Sequence, residues 1–68
     1  MYMELKELLK ELRIANGLSQ QQVAKEIGIT RSAYSNYEQG IREPDLATVK
    51  KLCVVLQVSA DYLLGIEK

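Results

Sequence analysis

The sequence predicts an all-α fold, a compact bundle of five short helices, and three observations predict it. Apolar residues recur at spacings of three and four. Residues that start and stop helices fall between these stretches. No apolar–polar alternation or hairpin signal points to a strand. At 68 residues the chain reads as one domain, residues 1–68, with no internal repeat or low-complexity tract. A chain this short buries only about 60% of the surface its unfolded form exposes, so tight packing or a partner is needed.

Leu5, Leu8, Leu9 and Leu12 form the stripe of a first helix running to about Ala15, with Glu7, Lys10 and Glu11 on its outer side. Asn16-Gly17 stops it, and Gly17 suits the left-handed position after a helix end. Ser19, with Gln22 three residues on, is a capping box that opens the second helix. Val23, Ala24 and Ile27 give that helix its apolar face, and Gly28 ends it. Only "GIT" separates it from a third helix, about residues 31–39, with Thr30 as N-cap. Two short helices joined by a three- to four-residue turn containing Gly are the sequence form of a helix-turn-helix, and the small Ala24 lets them cross closely. "GIREP" is a loop. Asp45 caps a fourth helix in which Leu46, Val49, Leu52, Cys53 and Leu56 share a face. "SADYLLG" makes a fifth, capped by Ser59 and stopped by Gly65.

Composition excludes several functions. There is no His and a single Cys, so neither an internal disulfide nor a Cys/His metal site is available; Cys53 reads as a small buried hydrophobe, and no cofactor or small-molecule ligand is indicated. An enzyme is a poor reading, with no His, no paired carboxylates in an apolar pocket and no Gly-rich phosphate loop. No apolar run approaches the roughly 20 residues of a membrane span, and the first residues do not resemble a signal peptide, which points to the cytoplasm. The formal net charge is zero, which counts mildly against nucleic-acid binding because phosphate neutralisation calls for excess Lys and Arg.

The third helix is unusual in what it would expose. At 100° per residue Tyr34 and Tyr37 fall on one side, while Ser32, Ser35, Asn36 and Gln39 fall on the other, with Arg31 in the first turn. Solvated helix faces are usually filled with Lys and Glu; Ser and Asn are mediocre helix formers because they compete for backbone groups.

From Arg13 to Gly65 the order of residues resembles the Cro/C1-type helix-turn-helix DNA-binding domain, also called the Xre family. The resemblance is carried by "GLSQQQVAKEIGITRSAYSNYEQGIREPDLATVKKLCVVLQVSADYLLG". Its elements are the Ser-Gln opening of the second helix, the Ala, the Gly of the turn, the Glu-x-Gly closing the third helix, the Pro soon after, and "LQVSADYLL" at the last helix. The resemblance implies a lambda-repressor-like fold in which the second helix crosses the DNA backbone and the third lies in the major groove.

On that reading, the third helix's outer face matches the family's base-reading positions. Arg31 suits a bidentate grip on guanine and Asn36 on adenine, with Ser32 and Ser35 tuning. Gln20 matches the family's phosphate-binding glutamine, at a helix start whose free N–H groups favour an anion. Gln39, Arg42 and the Tyr34 hydroxyl are expected at the DNA backbone, with Ser19 chiefly a cap and secondarily a phosphate contact. Arg13 and Glu38 match a salt bridge that sets the angle of the reading helix. Val54, Val55, Tyr62, Leu64 and Ile66 form an apolar cluster too large for so small a domain to bury, which predicts a homodimer through the last two helices. The reading is a sequence-specific DNA-binding transcriptional regulator, a repressor, acting as a homodimer on a near-palindromic site of double-stranded DNA. The rival is a protein-interaction module on the same fold, such as an antitoxin or regulatory partner, which zero net charge favours.

Overall fold

The computed structural model describes residues 4–63. Five helices follow one another: α1 Leu5–Ala15, α2 Gln20–Ile27, α3 Arg31–Gln39, α4 Leu46–Leu56 and α5 Ala60–Leu63. Among the described residues there is no strand, and no helix is long and apolar enough to cross a membrane.

The helix ends are defined by side chains. At α2, Ser19 Oγ accepts the Gln22 N–H at 3.1 Å while Gln22 Oε1 accepts the Ser19 N–H at 2.8 Å. Thr30 Oγ1 accepts from the Ala33 N–H at 3.1 Å, Asp45 Oδ1 from Thr48 at 2.8 Å, and Ser59 Oγ from Tyr62 at 3.0 Å. Each bond satisfies one of the N–H groups a helix start leaves unpaired. The bond from Thr48 also holds the Asp45 carboxyl below its ordinary value. Gly28, at φ 80°, closes α2 in the left-handed conformation and lets the chain reverse into α3 within three residues. The corresponding position after α4 is Gln57, at φ 59°, where the sequence shows no glycine.

The core runs through all five helices: Leu8 and Leu9 from α1, Val23, Ala24 and Ile27 from α2, Tyr34 from α3, Val49, Leu52 and Leu56 from α4, and Leu63 from α5. Ala24 is wholly buried, and its small side chain lets α2 pack closely on its neighbours. Asn16 adds a polar tie: its Nδ2 donates to the Leu12 carbonyl at 2.8 Å and the Leu56 carbonyl at 3.2 Å, joining the end of α1 to the end of α4. Two expectations for α4 need correction. Leu46, placed on the apolar stripe, is 63% exposed, because it is the first residue of the helix and overhangs the core. Val55, expected to stand clear, is half-buried and packs against the core. Cys53 is likewise half-buried against the core, and burial pushes its thiol up.

Candidate nucleic-acid interface

The site is built on α3, whose inner side is anchored by aromatic and ionic contacts. Tyr34 is wholly buried and meets Tyr37 edge to face, with ring centroids 6.3 Å apart. Near the other end of the helix, Glu38 is gripped by Arg13 in a two-pronged ion pair. Arg13 Nε donates to Oε2 at 2.7 Å and Nη2 to Oε1 at 3.1 Å, while Nη1 donates to the Leu18 carbonyl at 3.0 Å. One guanidinium thus joins α1, the α1–α2 loop and α3. The planar fork matches the carboxylate as a Lys ammonium would not.

Burial alone would raise the Glu38 carboxyl; the hydrogen bonds from Arg13 and Gln20, with the Tyr34 hydroxyl beside them, hold it below its ordinary value. The same bond raises the Arg13 guanidinium. The Glu38 side chain is 4% exposed and Arg13 14%, so the pair is close to fully enclosed.

The Tyr34 hydroxyl overturns one expectation. It is sealed from solvent and has no partner in hydrogen-bond geometry among the described residues, although it lies near enough to Arg13 and Glu38 to be influenced by them. Burial, foremost, drives its ionisation far above the ordinary phenol range. A side chain at the centre of the core cannot meet a phosphate, so Tyr34 belongs to the packing and not to the DNA backbone set.

Gln20 is the first residue of α2 and is partly exposed. Its Nε2 donates to Glu38 Oε1 at 3.0 Å. This contact links residues 18 apart, and no local pattern in the sequence marks it. A carboxylate can only accept, so its charge fixes the amide with nitrogen facing inward and leaves the second N–H of that nitrogen for another acceptor.

The outer side of α3 is free of such ties at its start. Arg31 and Ser32 are exposed. Ser35 and Asn36 are partly exposed, and Ser35 Oγ accepts from Gln39 Nε2 at 2.8 Å, with Gln39 itself exposed. Beyond Gly40 the chain folds back on α3, the N–H groups of Ile41 and Arg42 both donating to the Asn36 carbonyl at 3.0 and 3.3 Å. Arg42 is thereby held, exposed, past the end of the helix. Ser19 is exposed but engaged as the α2 cap. The charge distribution matters more than its sum. Between residues 27 and 42 the acid is Glu38, which Arg13 neutralises, so the exposed charges of this segment are Arg31 and Arg42.

Of the residues expected at a dimer surface, Val54 is 79% exposed and Tyr62 46%. Leu64 and Ile66 lie outside the described residues.

Comparison with known proteins gives consistent matches. A helix-turn-helix family model matches residues 9–63. The SPbeta prophage-derived uncharacterized HTH-type transcriptional regulator YonR of Bacillus subtilis (strain 168) is 52% identical over 58 residues, 85% of this chain and 54% of that protein. The chain spans about half the length of the curated relatives it matches. The P22 c2 repressor, solved in complex with synthetic operator 9T, superposes with a TM-score of 0.89 at 27% identity, over 97% of this chain and 100% of that one. SinR, a master regulator for biofilm formation solved with DNA, gives 0.81 at 26% identity, over 88% and 97%. By name these similar proteins are an HTH-type transcriptional regulator, a repressor and a master regulator.

Proposed function

The chain belongs to the Cro/C1-type helix-turn-helix family, and from that premise we propose that it is a sequence-specific DNA-binding transcriptional regulator, a repressor, working in the cytoplasm. The outer face of α3 enters the major groove of double-stranded DNA. Arg31 and Asn36 make the discriminating contacts, Ser32 and Ser35 tune them, and Ser19, Gln20, Gln39 and Arg42 meet the phosphates on either side. The observation that carries this reading is that Arg31 and Ser32 stand exposed on an α3 face free of acids, the only carboxylate on α3 being turned inward and neutralised. Short hydrogen-bonding side chains and one guanidinium match the donor and acceptor pattern of base edges. A free Glu on this face would be repelled by the flanking phosphates unless it accepted from a cytosine amino group.

The exposed Val54 and Tyr62 support a two-fold homodimer through α4 and α5. Such a dimer sets two reading helices about 34 Å apart, one DNA turn, on a near-palindromic operator. Zero net charge favours a second reading, a protein-interaction module that leaves DNA alone. Selection from a random-sequence duplex pool separates the two. The regulator enriches a defined near-palindromic motif, whereas no enrichment, with no retention of DNA at low salt, would overturn the proposal in favour of the module.

A further inference from the structure

Ser35 and Gln39 stand one turn apart on the outer side of α3, the spacing at which helix side chains meet. Gln39 Nε2 donates to Ser35 Oγ at 2.8 Å, and neither side chain bonds any other described residue. Gln39 is exposed and Ser35 partly exposed. A serine hydroxyl has one hydrogen to give and two lone pairs to offer. Inside a helix that hydrogen often goes to the carbonyl four residues back; Ser35 forms no such bond to Arg31. With one lone pair taken by Gln39, the hydrogen is left for a partner outside the protein. No acid on the outer side of α3 competes for it, since Glu38 is turned inward and held by Arg13.

We propose that Gln39 is a positioning residue for base recognition: its bond makes the Ser35 hydroxyl a donor toward DNA, so Ser35 selects guanine or thymine and refuses cytosine. The inference rests on the reading that α3 occupies the major groove. There guanine presents N7 and O6 and thymine presents O4, all acceptors, whereas cytosine presents the N4 amino donor. Adenine presents one of each and falls between. A lone serine hydroxyl rotates to suit any of these and discriminates poorly. Hydrogen bonds that run head to tail strengthen one another. The chain from Gln39 N–H through Ser35 O–H to a base acceptor is therefore favoured over one in which Gln39 and cytosine both donate to the same oxygen. Ser35 then does more than tune, because the polarity of its bond decides which base is refused. Gln39 keeps a second N–H on the same nitrogen, so a phosphate contact is compatible with this role.

The test is competition binding of the parent and its variants to the duplex enriched by selection, with all four base pairs placed in turn at each position. Ser35→Ala locates the position that Ser35 reads. There the parent is expected to favour guanine or thymine over cytosine by about fivefold, the worth of one hydrogen bond. Gln39→Ala is expected to erase most of that preference at that position alone, and to change nothing there once Ser35 is alanine. Gln39→Glu reverses the bond, because a carboxylate only accepts. It takes the hydroxyl hydrogen, leaves Ser35 an acceptor and is expected to shift the preference toward cytosine. The preference is a ratio, so general repulsion of the new charge by phosphates cancels. Uniform weakening of every duplex by Gln39→Ala would assign Gln39 to the phosphates alone and overturn the proposal, with the groove reading intact. So would a parent preference for cytosine, or the lack of any position that depends on Ser35. Absence of DNA binding by the parent would overturn the groove reading itself, and this proposal with it.

Discussion

On the inner side of α3, Tyr34 is fully buried and Glu38 is bonded to residues from α1 and α2, while on the outer side Arg31 and Ser32 stand in solvent with no hydrogen bond or ion pair to a described residue. The inner side is over-determined. The orientation of the helix is set by a ring in the core and by an ion pair, and changing either disturbs more than one element. The outer side carries no comparable tie to another helix, yet it is filled with residues that propensity disfavours. A face that folding does not need, built from residues folding would not choose, is a face available for recognition, and the rigidity of the opposite side gives its side chains fixed positions to act from.

Four expected outcomes sharpen or break this contrast. The largest is Tyr34→Ala, which removes the only fully buried side chain of α3 and should cost about 3–5 kcal/mol in chemical denaturation; a loss below about 1 kcal/mol would mean that the inner side does not anchor the helix. Next comes Glu38→Ala, expected to cost about 2 kcal/mol, less than a fully enclosed pair because Arg13 retains some solvent contact. Its pH signature has a definite sign. The Glu38 carboxyl sits below its ordinary value in the folded chain, so between the two values the unfolded chain binds more protons. The contribution is complete above the ordinary carboxylate range and fades as pH falls through the folded value, and Glu38→Gln should flatten that part of the profile of stability against pH.

Gln20→Ala lies on the boundary of the two sides. It should weaken binding to every duplex alike by about 1 kcal/mol, the net worth of one hydrogen bond; a change in base preference measured by competition would assign Gln20 to the reading face. The smallest effect is Tyr34→Phe, within about 1 kcal/mol of the parent in thermal denaturation, because the hydroxyl removed has no partner in hydrogen-bond geometry among the described residues. A clear destabilisation would mean that the hydroxyl supports the Arg13–Glu38 pair.

Most of the fold was legible from local signals. The Ser19–Gln22 box, Thr30, Asp45 and Ser59 announce helix starts because capping is a matter of a few adjacent residues, and the bonds are all formed. The left-handed glycines at 17, 28 and 40 are similarly local. Gln57 was not legible, since a non-glycine residue in that conformation is held there by what surrounds it. Leu46 and Val55 show the limit of helical periodicity. It orders residues around an axis but does not say how far along that axis the core extends.

The candidate site was legible in its outline and less so in its connections. Arg31 and Ser32 are exposed, as their place on the helix required, and the resemblance pointed to the Arg13–Glu38 pair. The depth of Tyr34 escaped notice because a tyrosine at a core position reads the same whether its hydroxyl emerges or not. The Gln20–Glu38 bond joins residues 18 apart in sequence, and only tertiary packing brings them together.

The account stands on the claim that the outer face of α3 reads bases while contributing nothing to the fold. Binding of the Arg31→Ala variant and the parent to the selected duplex, and to a panel in which each base pair is changed in turn, tests this most directly when paired with a denaturation curve. The account predicts unchanged stability and a loss of about 1–3 kcal/mol of discrimination at one base pair in each half-site. Equal weakening on every duplex, or a destabilised domain, would contradict it.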